Sequence, residues 1–295
     1  MASQIFRGTV FTILSAVLYG AGAVLTKFAS SMGLSVPVIL IGRGIIGALL
    51  ALAICGVRKQ GVRISEGKMG SVLLLGLLGM CGTIFFLNNA YLRIPVGIAT
   101  TVHYIYPALV CIASALLFRE RISLATWFTV VACTVGTTVL SGDLSGGSVK
   151  GVLFAALSAV AWAFYMVGME RTRVAEEDGA SVSFVMSLEL AAFGVLYGLV
   201  TKALCFNDFL KALPVLIAIG LLINILANIF VQKGIESIGA GLSSILSVFE
   251  PIAGIVLGAL FMKERPCLRQ LLGCFIILAA VIFLLVHNWR KEEKA

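Results

Sequence analysis

A glutamate stands directly before a proline in a long apolar stretch, at Glu250 and Pro251. A carboxylate at the depth of the hydrocarbon core is costly, and such residues are by default candidates for function. Glu250 is therefore a candidate for proton uptake and release, or for binding a cationic or amino group of a substrate. The alternative is that Glu250 stays protonated and forms a hydrogen bond between helices.

The segment around Glu250 has a counterpart 144 residues earlier in the chain. Residues 94–122 align with residues 238–266 without a gap, with seven identities in 29 positions. In the earlier copy, Tyr106 precedes the proline, Pro107, where the later copy has Glu250. A proline inside a helix leaves the carbonyl four residues earlier without its partner, so we expect a helix break near mid-membrane in both copies.

Helical spacing places further polar side chains beside each proline. The face shared with Glu250 is small and polar, and comprises Ser243, Ser247, Glu250, Gly254 and Gly258. His103 and Tyr106 occupy the matched places in the earlier copy. We predict a polar cavity between the two helices, lined by His103, Tyr106, Ser247 and Glu250, with Tyr106 facing Glu250. For Gly254 and Gly258 we favour close helix packing, as for Gly194 and Gly198 elsewhere.

Arg43 and Glu189 are two further charges within apolar stretches. They occupy equivalent positions when the "SV" at Ser35 is aligned with the "SV" at Ser181. We favour a structural ion pair, because unpaired charges at this depth would cost several kcal/mol. If the two side chains do not meet, Arg43 becomes a candidate for binding a substrate carboxylate.

Amide and aromatic side chains complete the set of candidate lining residues. The amides are Asn88, Asn224, Asn228 and Gln232, of which the last three follow at i, i+4 and i+8. The aromatic candidates are Tyr19, Trp162 and Tyr165. Both groups are consistent with lining a pathway and with ordinary packing or hydrogen bonding between helices.

The composition identifies the elements that must position these residues. The chain has 295 residues, of which 60% are hydrophobic and 12% charged, with a mean hydropathy of +1.08, as is typical of membrane proteins. Seven charge-free runs, and three runs that each contain one charge, are long enough to cross a core of ~30 Å as helices. Strand alternation is absent. We predict an all-α integral membrane protein with ten transmembrane helices.

The repeated segments divide the chain into two units of five helices. We predict a first repeat at residues 1–142, a linker at 143–150, a second repeat at 151–289 and a cytoplasmic tail at 290–295. Because five is odd, the second repeat must be inverted relative to the first. Inverted repeats are typical of secondary transporters whose substrate site lies near the bilayer midplane, between the repeats.

Several short motifs resemble the EamA-type family of the drug/metabolite transporter superfamily. They are the "LYG" that ends at Gly20, the following Lys27, the "WAFY" from Trp162 to Tyr165, and the two segments that run from a proline to Glu-Arg. The resemblance covers essentially the whole chain and implies a ten-helix transporter of small organic metabolites, often an exporter of amino acids or related compounds. The tryptophan usual in the first motif is here Tyr19.

The function that these patterns favour is secondary transport by alternating access around a midplane cavity. A gradient, of protons or of the substrate itself, would supply the energy. The competing class is a membrane-embedded enzyme or binding scaffold that uses His103 and Glu250 chemically. Against an enzyme, the sequence contains no metal or nucleophile constellation and no familiar nucleotide or hydrolase motif. We expect a small-molecule substrate and the lipid bilayer as partners, and no cofactor, metal or nucleic acid.

The net charge of +8 reflects orientation rather than nucleic-acid binding, because the basic residues are scattered through short loops. Thirteen lysines and arginines fall on the side of the N-terminus and eight on the other, which predicts a cell membrane protein with both termini in the cytoplasm. Interfacial anchors or gate-side ion pairs are predicted at Glu120, Arg121, Glu264 and Arg265. Helix starts are predicted at Pro37, Pro95, Pro214 and Pro266.

Overall fold

The computed structural model describes residues 2–94, 96–119, 122–141, 148–206, 208–262 and 267–292. Within these ranges every regular element is a helix and no strand occurs. Eight helical stretches are long and apolar enough to cross a membrane, and two shorter apolar helices accompany them. The prediction of an all-α, multi-pass membrane protein is thereby confirmed.

The helices follow one another with short connections. The first part of the chain forms α1 (Ala2–Ser31), α2 (Val36–Val57), α3 (Met69–Leu74), α4 (Gly82–Tyr91), α5 (Val96–His103), α6 (Tyr106–Phe118) and α7 (Leu124–Ser141). The second part forms α8 (Val149–Arg171), α9 (Gly179–Thr201), α10 (Phe209–Ile219), α11 (Asn228–Leu246), α12 (Phe249–Met262) and α13 (Leu268–Glu292). A 3₁₀ turn, Val174–Glu176, connects α8 to α9.

Two π-helical segments widen the backbone spiral in corresponding parts of the chain. Leu75–Cys81 connects α3 to α4, and Gly220–Ala227 connects α10 to α11. Each contains a "GLL", at Gly76 and at Gly220. Such π-helical turns inside α-helices occur frequently at functional sites.

Two apolar stretches are interrupted close to a proline. Residues 104–105 separate α5 from α6, and residues 247–248 separate α11 from α12. Each interruption creates a helix N-terminus inside the bundle, where Tyr106 begins α6 and Glu250 lies in the first turn of α12. The positive end of the helix dipole at such an N-terminus favours a carboxylate.

The stretch Phe209–Leu246 is 38 residues long. A straight helix of that length would measure about 57 Å, well beyond the ~30 Å core of a bilayer. Inside it, Gly239 has φ 76° and ψ 165°, a conformation that glycine tolerates and that interrupts the helix. Glu170 accepts a hydrogen bond from the Ala240 N–H there, at 3.0 Å. The helix break expected near Pro251 follows at residues 247–248.

The prolines predicted at helix starts fall in different places. Pro37 lies in the first turn of α2, as predicted. The prediction for Pro214 is wrong, because α10 already begins at Phe209 and Pro214 lies inside it. The carbonyl that Pro214 leaves without a partner belongs to Leu210, which is 80% exposed at the end of the helix. The remaining predicted positions lie outside the described residues: Pro95, Glu120, Arg121, Glu264, Arg265 and Pro266.

Small residues set the closest helix contacts. A Cβ atom at Gly44 of α2 would lie 2.7 Å from the backbone nitrogen of Ala191, and one at Gly194 of α9 would lie 3.0 Å from that of Ile41. The packing role predicted for Gly194 is confirmed. A Cβ atom at Gly20 of α1 would lie 2.6 Å from the carbonyl oxygen of Glu250. Glycine at position 20 therefore lets α1 touch the backbone of α12.

Candidate functional site

A cluster of aromatic and polar side chains lies where the first and second parts of the chain meet. We call it the central cluster; it comprises Tyr19, His103, Tyr104, Tyr106, Ser158, Trp162, Tyr165, Asn228, Ser247 and Glu250. Its polar contacts between helices each join a residue of the first part to one of the second. Secondary transporters place their substrate sites at such junctions.

Tyr19 connects α1 to two helices of the second part. Its hydroxyl donates a hydrogen bond to Asn228 Oδ1 at 2.5 Å. Its ring meets that of Trp162 edge-on, with 6.0 Å between centroids. Trp162 in turn stacks on Tyr165, with 4.8 Å between centroids and 14° between planes. The three rings form an aromatic wall in favourable edge and offset geometries.

His103 connects the end of α5 to α8. Its Nδ1 lies 2.9 Å from Ser158 Oγ, and that hydroxyl donates its proton to the Ala155 carbonyl at 2.7 Å. Because the hydroxyl has one proton, His103 Nδ1 must be the donor in the first contact. His103 is 9% exposed, with the rings of Tyr104 and Tyr106 beside it. His103 thus forms a buried hydrogen bond that joins α5 to α8.

Glu250 has the Tyr104 hydroxyl as its hydrogen-bonding neighbour. Tyr106, which was predicted to face Glu250, lies within electrostatic range of it but is only 1% exposed. The Tyr106 hydroxyl has no well-formed hydrogen bond to any described residue, although Ser247 and Trp162 are its polar neighbours. Tyr104 was missed because the turn at residues 104–105 interrupts the helical period on which the prediction relied.

Some residues of the central cluster retain accessible surface although they lie deep in the bundle. Tyr19, Trp162 and Glu250 are only partly buried, and so is Asn88 on α4. Gly254, one turn beyond Glu250, has no atom within 4 Å of the position that a Cβ would occupy. The close-packing interpretation of Gly254 is therefore wrong. Open space adjoins the face of α12 that carries Glu250.

Arg43 and Glu189 do not form the predicted ion pair in the part of the chain that the structure describes. Arg43 Nε and Glu189 Oε2 are buried without a hydrogen-bond partner among these residues. The reason is geometric. Because α9 faces α2 with Ser187 and Ala191, Glu189 projects from the other side of α9, against the π-helical segment Leu75–Cys81.

The amide side chains on α11 and the second π-helical segment form hydrogen bonds between and within helices. Asn224 Nδ2 donates to the Arg43 carbonyl at 3.2 Å and lies 3.4 Å from Ser187 Oγ. Asn228 donates to the Asn224 carbonyl at 3.1 Å. Gln232 Nε2 lies within hydrogen-bonding distance of three carbonyls in the turn before α9. Asn224 and Gln232 thus form hydrogen bonds between elements through their side-chain nitrogens, whereas Asn224 Oδ1 is buried without a described partner.

A second polar region lies at the end of the bundle near the turn between α8 and α9. We call it the polar turn; it comprises residues 172–178 with Ser65, Lys68 and Gln232. Glu177 is 8% exposed and forms an ion pair with Lys68 at 2.8 Å. It also accepts hydrogen bonds from the Ser65 N–H at 2.9 Å and hydroxyl at 3.0 Å. Burial opposes its ionisation, but Lys68 and Ser65 outweigh burial and hold the pKa of Glu177 below its ordinary value.

Two open grooves lie outside the central cluster. One, of about 650 Å³, runs between α1 and α11 beside Arg7 and Lys233. The other, of about 310 Å³, adjoins Glu170 and Gly239. Neither groove is lined by a residue of the central cluster, so both grooves are separate from the candidate site.

Comparison with known proteins places this all-α, multi-pass architecture among the membrane transporters. The EamA-like transporter family matches residues 6–142 and, separately, residues 149–286. Since these matches span most of the chain, the protein belongs to the EamA-like transporter family. The family and the named relatives are transporters and not enzymes.

Individual relatives are distant but cover nearly the whole chain. The uncharacterized transporter YcbK of Bacillus subtilis is 24% identical over 302 residues, covering 97% of this chain and 96% of its own. The pseudopaline exporter CntI of Pseudomonas aeruginosa is 24% identical over 283 residues, covering 94% and 95%. A solved crystal structure with 24% identity has a TM-score of 0.79 and covers 95% of this chain and 97% of the other. That likeness supports the fold alone.

Proposed function

We propose that this protein exports small organic metabolites, such as amino acids or related compounds, by secondary transport through the cell membrane. The observation that carries the proposal is Glu250, a carboxylate at an internal helix N-terminus, beside the open space at Gly254 and between the two parts of the chain. An ionisable residue inside a membrane protein marks substrate or proton pathways. The exporting direction is taken from the relative CntI, which is named an exporter.

We infer that the chain crosses the membrane ten times, as two inverted repeats at residues 1–142 and 151–289 joined by a linker at 143–150. Two separate family matches support the division. The interruption of the helix at Gly239 supports the count, because a stretch of 38 residues is too long for one crossing. With both termini in the cytoplasm, the polar turn lies on the cytoplasmic side.

Alternating access then follows from movement of one repeat against the other around the central cluster. The breaks before Pro107 and Pro251 lie in matched segments of the two repeats and are suited to act as hinges. Tyr19 and Trp162 provide the aromatic wall of the substrate cavity, while His103 and Tyr106 support it from behind.

Glu250 has two roles in this proposal, and transport measurements distinguish them. It binds an amino group of the substrate, or it exchanges a proton during each cycle. In the first case the rate follows the substrate's own gradient. In the second it responds to an imposed pH gradient.

The proposal is tested with purified protein in liposomes and labelled amino acids, amines, nucleosides and polyamines. The wild type is expected to exchange at least one of them, and Glu250→Gln to reduce the rate at least tenfold. Glu236→Gln is the matched control, because Glu236 lies on α11 outside the central cluster and pairs with Lys233. Absence of exchange for every solute, or equal rates in Glu250→Gln and wild type, would contradict the proposal.

A further inference from the structure

Arg43 is a charged residue of the membrane interior to which the proposed function assigns no role. Its side chain forms no ion pair or hydrogen bond with any described residue, and its Nε is buried without a partner. Its backbone, by contrast, is held in place by the hydrogen bond from Asn224. An unpaired guanidinium at this depth is costly, which points to a partner that is present only during transport.

The surroundings of Arg43 lead back to the central cluster. Its side chain retains some accessible surface, and its electrostatic neighbours are Tyr19 and Cys81. Tyr19 also lies within electrostatic range of Glu250. Both charges, one on α2 and one on α12, thus lie within electrostatic range of Tyr19. The Arg43 carbonyl is also connected to Tyr19 through the hydrogen bonds of Asn224 and Asn228.

Glu189 is not paired with Arg43 in this structure, although both lie within electrostatic range of Cys81. It projects from the side of α9 opposite to the contact with α2, and its carboxylate lies against Gly76. The neighbouring Cys81 is buried and is a weak hydrogen-bonding group. Among the described residues, no carboxylate forms an ion pair with Arg43.

The chemistry of the two charges defines the complementary ligand. A guanidinium presents its N–H donors in a planar fork that matches a carboxylate, and a buried carboxylate binds an ammonium group. The aromatic wall of Tyr19 and Trp162 suits an apolar body or a cation placed over a ring face. An amine satisfies only Glu250 and an acid only Arg43, whereas a zwitterion satisfies both.

We propose that Arg43 binds the carboxylate of the substrate and that the cavity thereby selects zwitterions over amines and simple acids. This inference rests on the proposed function and narrows its substrate class. Arg43 is then a specificity residue and Glu250 its counterpart for the amino group.

Matched series of ligands test this assignment. Each series contains an amino acid, the amine that lacks its carboxylate and the acid that lacks its amino group. Suitable series start from L-leucine with isopentylamine and 4-methylpentanoate, and from L-phenylalanine with phenethylamine and 3-phenylpropanoate. Binding is measured by thermal shift, and transport by exchange in liposomes. We expect at least one amino acid to bind tenfold or more tightly than its amine and its acid.

Substitutions of Arg43 assign that preference to one side chain. Arg43→Gln is expected to weaken binding of the amino acid tenfold or more and to leave binding of the amine unchanged. Arg43→Lys retains the charge without the planar fork. Its affinity for the amino acid is expected to lie between those of the wild type and Arg43→Gln. Arg58→Gln is the control, because Arg58 at the end of α2 is exposed and pairs with Asp178.

Three results of the binding measurements would overturn the inference, and two results of the transport measurements would do so as well. The three binding results are equal binding of amino acid and amine to the wild type, equal weakening of both by Arg43→Gln, and binding of no member of either series. The comparison of ligands on the wild type stands even if Arg43→Gln does not fold. Transport of solutes that lack a carboxylate would overturn this inference and retain the proposed function. Exchange of no solute at all would overturn both.

Discussion

Glu177 and Glu250 are both shielded from bulk water, but their surroundings differ. Glu177 in the polar turn has a lysine at 2.8 Å and two donors from Ser65. Glu250 in the central cluster has the Tyr104 hydroxyl as its polar neighbour. Arg43, which lies within electrostatic range of Tyr19, has no described partner for its side chain. Glu177 thus has its partners within the fold. Arg43 and Glu250 have no ionic partner there and, in our proposal, pair with the substrate.

This difference separates residues that stabilise the protein from residues that limit its stability in order to function. Removing one partner of a satisfied pair leaves the other uncompensated, which destabilises the fold. Removing an unsatisfied charge relieves a desolvation penalty, and active sites commonly show this exchange of stability for activity. The comparison therefore predicts stability changes of opposite sign in the two regions.

The largest expected effect belongs to Glu250→Gln. We expect exchange in liposomes to fall at least tenfold while the melting temperature in detergent stays the same or rises, because the amide removes an unpaired charge but keeps the shape. Both quantities are measured on one preparation. A marked fall in melting temperature would show that Glu250 is as well satisfied as Glu177 and would remove the contrast between the regions.

Gly20→Ala and Gly254→Ala extend the contrast to the two faces of α12. At position 20 a methyl group would press against the Glu250 carbonyl and the Gly254 nitrogen, at 2.6 and 2.9 Å, so we expect a loss of about 1–3 kcal/mol. At position 254 it meets open space, and alanine favours the helix by roughly 0.5–1 kcal/mol. Gly254→Ala should keep or raise stability and weaken substrate binding. Thermal unfolding measures the stability of both variants, and ligand titration measures their substrate binding. Equal effects of the two substitutions would contradict the presence of open space beside Gly254.

The parts of this structure that could be predicted from sequence depend on composition and on single residues with strong backbone preferences. Long apolar runs predict helices because lipid leaves no other way to satisfy the backbone. Prolines inside such runs indicate the breaks, since the missing N–H acts locally. These properties do not require knowledge of which residues lie opposite each other.

The pairing of side chains was harder to predict. Repeat equivalence placed Arg43 and Glu189 on matched helices, but it could not show that the Glu189 carboxylate lies against Gly76. Ser158 is one hydroxyl in an apolar helix and gives no signal of its contact with His103. Glu177 lies in a loop whose partner at Lys68 is distant in sequence. Each of these contacts depends on how helices are rotated, which helical period alone does not determine.

Glu177→Gln tests the satisfied side of the comparison. We expect a loss of about 1–2 kcal/mol near neutral pH, because Lys68 and Ser65 lose a charged acceptor. Glu177 lies at the edge of the protein, which keeps the effect modest. Its folded pKa is below its unfolded value, so its contribution is present above about pH 4.3 and disappears as the pH falls through the folded pKa.

The measurement is the difference in unfolding free energy between wild type and Glu177→Gln across that range of pH. The difference should shrink as the pH falls below about 4.3, toward and through the lower folded pKa. Substrate affinity per folded molecule should not change, because Glu177 is outside the central cluster. A difference that is independent of pH would show that the carboxylate charge does not contribute, and a change in affinity would connect the two regions.

Tyr19→Phe is expected to give the smallest effect. It tests whether the Tyr19 hydroxyl stabilises the fold or binds substrate. The substitution removes the hydrogen bond to Asn228, which costs about 1 kcal/mol, but leaves the ring against Trp162. Because Arg43 and Glu250 both remain, the preference for an amino acid over its amine should persist within a few-fold. If that preference disappears in ligand titrations while stability changes little, the hydroxyl itself binds substrate. Tyr19 would then be a substrate-binding residue. The charges of Arg43 and Glu250 alone would not be sufficient for the preference for an amino acid.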